Sequence, residues 1–326
     1  METEEKAGRI CLTADGTAGA RLDVWIAGRL PGTSRSQVRK WIDDGRVLVS
    51  GRSRKASFIV EPGDVVIVDV PPPQPAVAAP EDIPLKIVFE DGDLCVLDKP
   101  AGIVVHPAHG HAGGTLVNAL LFHIKDLSSV GGELKPGIVH RLDKGTSGLM
   151  VVSKNDRSHL DLQRQFAGRT VEKTYLALVY GAPRADEGTF DTPYGRNPGD
   201  RKKFSSKVRE GKRAVTSWRV RERRAGASLV EVRLLTGRTH QVRVHFADQG
   251  MPLLGDLMYG AARRIRGLPA PARALVETLD RVMLHAASLS FDHPATRERL
   301  TFTSPVPPEM QAVINALRAG SEPKRI

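Results

Sequence analysis

The sequence predicts an α+β fold in two parts, a small N-terminal α/β domain and a larger domain built on a largely antiparallel, mixed sheet. Three observations predict it. The stretch from Pro71 to Pro80 holds 5 prolines in 10 residues without apolar periodicity, so it reads as an extended linker that divides the chain. Beyond it, short β-like runs mix with a few helical segments and no repeating βαβ rhythm, which argues against a doubly wound parallel sheet. Before it, a short capped helix is followed by two β-like runs. We therefore expect a small domain over residues 1–75, the end of the linker over 76–84 and the larger domain over 85–326.

The elements follow in order. Residues Arg21 to Leu30 read as a helix, and a second spans Ser34 to Asp44. Ser34 and Gln37 form a capping-box pattern, Val38, Trp41 and Ile42 share one helical face, and Gly45 stands where the helix stops. A β-like run from Arg46 to Val49 meets the turn residues Ser50 and Gly51, and another, Asp64 to Val70, follows Pro62 and Gly63. In the larger part the β-like runs include Leu94 to Leu97, Leu149 to Val152, Thr174 to Tyr180 and Leu229 to Leu235. In the last of these, Val230, Val232 and Leu234 alternate with Glu231 and Arg233. Helices are predicted for Leu116 to Ile124 after Thr115, and for Ser158 to Ala167 with Gly168 following.

Charge narrows the function. The net charge of +11 comes from 48 Lys and Arg against 37 Asp and Glu, and it is concentrated. Arg29 to Lys55 carries 8 basic and 2 acidic residues, as does Arg196 to Arg213, so the remaining 281 residues balance to −1. Two local basic surfaces suit a polyanion, nucleic acid first, although a single basic run is as often a solvated face. Arg35 and Arg39 lie one helical turn apart and would share a side with Arg52 and Arg54. No apolar run approaches the roughly 20 residues of a membrane-spanning helix. The opening METEEKAGRI has no apolar core of a signal peptide, so a cytoplasmic protein is expected. Cys11 and Cys95 are far apart and form neither a disulfide framework nor a thiolate zinc pattern. Glycine motifs for nicotinamide or nucleoside triphosphates are absent.

Two polar clusters carry the chemistry. In Ile138-Val139-His140-Arg141-Leu142-Asp143-Lys144-Gly145-Thr146-Ser147-Gly148-Leu149, charged residues lie between two apolar runs read as strands. Asp143 is placed to face a cleft with cations that keep it ionised, as a nucleophile or base requires; a turn aspartate paired with Arg141 or Lys144 is the plainer alternative. The second cluster, Thr236 to His245, follows a good strand and reads as a turn into a helix N-terminus, where Arg238 would pair with a distant carboxylate or hold a phosphate. His240, His245 and the loop histidines His106, His109 and His111 complete no zinc spacing, so no metal is expected. Tyr175, in a strand apolar on both faces, is either a core aromatic or a stacking platform.

His140-Arg141-Leu142-Asp143 with Lys144 to Leu149 resembles the signature of the RluA-type pseudouridine synthases. Lys99-Pro100 with Gly102, Val105, His106 and Pro107 resembles that family's upstream segment, Glu172-Lys173-Thr174-Tyr175 and Thr236 to His245 follow in the expected order, and Ser34 to Gly51 resembles the alpha-L RNA-binding motif. The likeness runs from about Arg21 to Val313, and Ala261 to Thr278 stands out as a variable surface excursion. The resemblance implies isomerisation of uridine to pseudouridine in ribosomal RNA or a pre-ribosomal large subunit, by a monomer, with no metal, nucleotide or organic cofactor and no membrane. It implies Asp143 as nucleophile on the sugar or base forming a glycal, Arg238 pairing with Asp143, and Tyr175 stacking on uracil and assisting proton removal at C5. The uridine must leave its stack, and Arg141, Arg196, Arg201 and Lys202 would hold the backbone, with Arg35, Arg39, Arg52 and Arg54 docking RNA. Two other classes fit parts of this pattern: a nucleoside hydrolase, which would release uracil, and a non-catalytic ribosome-assembly factor, which would not need Asp143.

Overall fold

The structure, a computed structural model, describes residues 8–16, 19–30, 33–70, 78–107, 113–130, 135–260 and 264–320. The chain divides into two compact units, Met1–Ala76 and Val77–Ile326. Most of the proline-rich segment, and His109 and His111, lie outside the described residues.

In the first unit, strand β1 (Arg9–Thr13) precedes helices α1 (Leu22–Ala27) and α2 (Arg35–Asp43), then β2 (Val47–Val49), β3 (Arg52–Ser53) and β4 (Val65–Asp69). The strands form an antiparallel sheet in the order β1-β4-β2-β3. Helix α2, β2 and β4 stand where the sequence places them; α1 is shorter than its pattern suggests, and β1 and the two-residue β3 have no counterpart among the expected elements. The capping box of α2 forms: the Gln37 amide N–H donates to Ser34 Oγ at 3.3 Å, and the Ser34 N–H donates to Gln37 Oε1 at 2.8 Å. The helix ends in a Schellman motif, with Gly45 N–H bonded to Ile42 O and Arg46 N–H to Trp41 O, which needs the positive φ of 73° that Gly45 supplies. Trp25, Ile26, Val38, Ile42, Val47, Val49, Val66 and Val68 close the core. Asp23, 1% exposed, accepts from both Arg21 and Arg35 and so ties α1 to α2.

The second unit holds β5 (Ile87–Glu90), β6 (Leu94–Lys99), α3 (Leu116–His123), β7 (Ser147–Ser153), α4 (Asp156–Gly168), β8 (Glu172–Tyr180), β9 (Glu187–Arg196), β10 (Phe204–Ser205), β11 (Lys212–Arg224), β12 (Ala227–Leu234), α5 (Gln241–Asp248), α6 (Ala270–Glu277), β13 (Leu284–Asp292), β14 (Arg299–Thr303) and α7 (Pro308–Ala319). They build one ten-stranded sheet in the order β10-β9-β11-β12-β8-β13-β7-β6-β5, with β14 paired to β13. All its pairings are antiparallel except β13 with β7. The expected α+β class with a largely antiparallel mixed sheet is what the chain adopts. None of the described helices is long and apolar enough to cross a membrane.

Alternation along the strands sorts side chains to two faces. Cys95 and Leu97 of β6, Met150 and Val152 of β7, Tyr175, Ala177 and Val179 of β8, and Val230 and Val232 of β12 pack with Leu116 and Leu120 of α3 and Val242 and Phe246 of α5. On the opposite face, Leu178 and Tyr180 meet α6 and α7, while Leu149, Val151 and Leu289 meet Leu162 of α4. Residues 78–84 belong with this unit, since the Glu81 N–H donates to Asn118 O at 3.0 Å and the Asn118 amide donates to Ala79 O at 2.6 Å.

Three local expectations are corrected. Ile138 makes only an isolated bridge to Val152, so the Asp143 cluster is flanked by one strand, β7, and not two. Helix α4 runs through Gly168 and is capped by Arg169 in the left-handed conformation. Of the segment Ala261 to Thr278, residues 264–278 are described, and they are no surface excursion: Ala270–Glu277 forms α6, and Leu268, Ala272 and Val276 are buried against α7. Its apolar residues recur at helical spacing, which gives them a core to join.

Candidate active site

The loop before β7 is held from below and behind. A turn joins Asp143 O to the Thr146 N–H at 3.1 Å. Lys99, fully buried, donates through Nζ to the carbonyls of Pro100 (2.8 Å), Ile103 (3.0 Å) and Lys144 (3.5 Å), and burial pulls its pKa down to about 7. His140 accepts the Val151 N–H at Nε2, 3.0 Å, and stacks on Phe166 at 4.7 Å. Burial, with the Lys173 charge adding to it, drops the His140 pKa to about 3, so this imidazole is a neutral acceptor that pins the loop to β7. Where β7 meets β13, Gly148 has φ 114°, and a Cβ there would lie 2.3 Å from Ala286 O. Only glycine allows that approach.

The loop opens on a cavity of about 460 Å³. Asp143 lines it together with Arg141, Phe166 and Arg169 at the end of α4, Lys173 and Tyr175 of β8, and the turn into α5 with Arg238, His240 and Arg243. Tyr175 is in the wall because positions 173, 175 and 177 of β8 share a face. Burial and the neighbouring Asp143 charge raise its pKa well above the phenol range, so the hydroxyl stays protonated at neutral pH.

The partner of Asp143 is a correction. Arg238, expected to hold it, is exposed and makes no ion pair among the described residues; its backbone N–H donates to Gln241 Oε1 at 3.0 Å. Arg243 Nη1 lies 3.5 Å from Asp143 Oδ2 instead. The reason is the turn: Arg238 precedes the helix start, whereas residue 243 sits in the first turn of α5 and is directed inward. Arg243 gives its Nε and Nη2 edge to Asp256 at 2.7 and 2.9 Å. The two side chains are 11% and 1% exposed, so the pair is desolvated and closely matched. Burial disfavours the charged guanidinium, but the Asp256 hydrogen bonds and the charges of Asp256 and Asp143 outweigh it and raise its pKa.

The turn is itself fastened. Gln241, 2% exposed, accepts from Thr236 Oγ1 (2.8 Å) and donates to Val215 O (3.0 Å) and Thr216 Oγ1 (2.9 Å) of β11. Tyr194 donates to Thr239 O at 2.6 Å, and Tyr259 meets His240 Nδ1 at 3.0 Å. Arg243, Asp256 and Gln241 belong to the site without having been singled out by motif or spacing. The run Gln241-Val242-Arg243 lay inside the motif, but Asp256 carried no local signal.

Of the expected RNA-binding residues, Arg141 lines the cavity. Arg196, Arg201 and Lys202 do not; they sit at the β9–β10 hairpin, where Arg196 donates to Arg201 O and lies over Phe204 at 4.3 Å. In the first unit Arg39 and Arg52 are exposed, Arg54 covers Phe58 and Arg35 is tied to Asp23. Asp91, Asp93 and His293 bring ligand-type atoms within 4.8 Å of one another. His293 Nε2 bonds Asp91 at 2.8 Å and Asp93 accepts from Asn155 and Ser158, so the group reads as a loop clamp, and none of the three lines the cavity.

The sequence matches the RNA pseudouridylate synthase family over residues 93–248 and the S4 domain over residues 20–66. It is 44% identical over 298 residues to the uncharacterized RNA pseudouridine synthase YlyB of Bacillus subtilis, covering 91% of this chain and 94% of that one. Ribosomal large subunit pseudouridine synthase D of Pseudomonas aeruginosa is 43% identical over 307 residues, covering 93% and 94%. The solved structure of human RNA Pseudouridylate Synthase Domain Containing 1 superposes with a TM-score of 0.56 at 27% identity, over 75% of this chain and 98% of that one. With an S4 domain ahead of a mixed-sheet domain whose cavity presents an arginine-paired aspartate, the chain belongs to the RNA pseudouridine synthase family.

Proposed function

We propose that the protein converts uridines of large-subunit ribosomal RNA to pseudouridine, with Asp143 as the catalytic carboxylate. The observation that supports this most is the chain Asp143–Arg243–Asp256 beside Tyr175 at one cavity. The reaction breaks the N-glycosidic bond, turns the uracil and joins C5 to the ribose, without redox change. An ionised carboxylate serves either route, attack on the sugar carbon or removal of a ribose proton to give a glycal. Arg243 is spent mainly on Asp256 and reaches Asp143 with one nitrogen, which orients that carboxylate and leaves its second oxygen free to react. Tyr175, a neutral phenol in the wall, stacks on the uracil and is no general base at neutral pH.

The relatives named ribosomal large subunit pseudouridine synthase D and the S4 domain support a large-subunit target; we place the reaction in the cytoplasm during ribosome biogenesis, with the protein acting as a monomer. Exposed Arg39, Arg52 and Arg54 on the first unit and Arg141, Arg201 and Lys202 on the second supply phosphate contacts. Mapping pseudouridines in ribosomal RNA from cells with and without the protein tests the assignment. Loss of specific large-subunit pseudouridines is the expected result; an unchanged map, or release of free uracil by the purified protein, contradicts it.

A further inference from the structure

The cavity carries more positive charge than the Asp143 chemistry uses. Five cationic side chains, Arg141, Arg169, Lys173, Arg238 and Arg243, line it with a single carboxylate, Asp143. Arg243 is matched by Asp256 and Asp143, and the three other arginines are exposed to water. Lys173 is different. It is half-buried on β8, two residues before Tyr175 and therefore on the same strand face. Among the described residues its ammonium makes no hydrogen bond and no ion pair; it sits 5.3 Å from the Phe166 ring centroid, while the adjacent Glu172 bonds Arg299 at 2.8 Å. The same Phe166 stacks on His140, so the aromatic floor under the ammonium is fixed. Burial also lowers the proton affinity of Lys173 with no anion to offset it. A partly desolvated cation without a counter-ion is unfavourable, and a bound anion relieves it.

We infer that Lys173 is a phosphate-binding residue of the cavity, its ammonium taking a non-bridging oxygen of a phosphate attached to the target nucleotide while the uracil lies against Tyr175. The inference rests on the reading of the cavity as the uridine site. Uracil and ribose are uncharged and cannot match a lone ammonium, whereas the phosphates on either side of the nucleotide can. Same-face neighbours on a strand are roughly 6–7 Å apart, a spacing that lets one residue serve the base and the other the backbone. The cavity thereby favours a nucleotide within a polymer over a free nucleoside.

The test uses the full-length protein and direct titration with uridine, uridine 5′-monophosphate and uridine 3′-monophosphate, followed by NMR and independent of turnover. One of the monophosphates should bind wild type at least about tenfold more tightly than uridine. Lys173→Gln should erase that advantage, and Lys173→Arg, which keeps the charge, should retain most of it. In parallel, the slope of log affinity for ribosomal RNA against log salt should flatten by about 0.7–0.9 in Lys173→Gln, one phosphate contact. A monophosphate advantage that survives in Lys173→Gln, or that is absent from wild type, overturns the inference. If Lys173→Gln does not fold, Lys173→Arg decides, since loss of the advantage in a folded, charge-preserving variant contradicts a phosphate contact made by charge. Failure of the wild type to form pseudouridine would instead overturn the functional reading, a separate outcome because the titration does not depend on it.

Discussion

Replacing Asp256 by asparagine changes one atom's chemistry and little shape, yet it removes the group that holds the arginine paired with Asp143. Asp256 receives the Nε and Nη2 edge of Arg243 at 2.7 and 2.9 Å and is 1% exposed on its side chain. An asparagine keeps one acceptor and turns an N–H toward the other guanidinium nitrogen, so at least one charge-assisted hydrogen bond is lost. Such bonds contribute about 1.5–3 kcal/mol each, and the fold should lose about 2–3 kcal/mol once the opposed donors are included. Arg243 is then left with Asp143 as its counter-ion, only 3.5 Å from Nη1, and turns toward it. Both oxygens of Asp143 become engaged and the carboxylate shifts. Displacements of about 1 Å in a reacting group cost on the order of 100-fold in rate. We expect Asp256→Asn to lower the single-turnover rate of tritium release from C5-labelled RNA by about 30- to 100-fold, with RNA affinity within about threefold of wild type. Urea unfolding measures the stability change. A rate within about threefold of wild type would refute the claim that Asp256 sets Arg243.

The two arginines of the α5 turn should separate: Arg238→Ala should raise KM several-fold with kcat within about threefold, whereas Arg243→Lys, which loses the planar fork, should lower kcat by at least about 30-fold. Steady-state kinetics decide this, and a collapse of kcat in Arg238→Ala would restore the pairing expected from sequence. Tyr175→Phe keeps the ring and should retain the rate within about tenfold, while Tyr175→Ala should not; equal loss in both would give the hydroxyl the main role. Stability should fall on acidification. Burial depresses the pKa of His245 to about 4 and that of His140 to about 3, against about 6.5 for an unfolded histidine. Their contributions are complete above pH 6.5 and are lost as pH falls toward those folded values, because the unfolded chain takes up protons that the folded imidazoles refuse. Unfolding free energies from urea titrations at pH 7 and 5 should differ by about 1–2 kcal/mol per histidine, and His245→Gln should shrink the difference. No loss at pH 5 would contradict the assignment.

Local signals made much of this fold legible. The Ser34 capping box, the apolar alternation of Leu229 to Leu235 and the Thr115 start of α3 each act within a few residues, so sequence alone exposes them. What escaped is non-local. Strand β1 exists because β4 lies beside it, and of its own residues, Arg9 to Thr13, only Ile10 and Leu12 turn inward and neither is fully buried. The α6 segment looked like surface because its apolar residues find their partners in α7. At the site, Asp143 and Tyr175 carry motif signals, and both reach the cavity. The arginine was misplaced by five residues because a turn residue and a helix residue of the same motif differ in direction, which only the helix start resolves. Asp256 was invisible, since its role is fixed by a contact across 13 residues of chain.

The most direct measurement of the central claim is tritium release from C5-labelled large-subunit ribosomal RNA by wild type and by Asp143→Asn, under single-turnover conditions with binding measured on the same preparations. The substitution preserves size and the loop turn while removing the ionised carboxylate. Wild type should release tritium and form pseudouridine. The variant should bind RNA within about threefold of wild type and release none above background. Turnover by Asp143→Asn at more than a few per cent of the wild-type rate would show that another group carries the reaction.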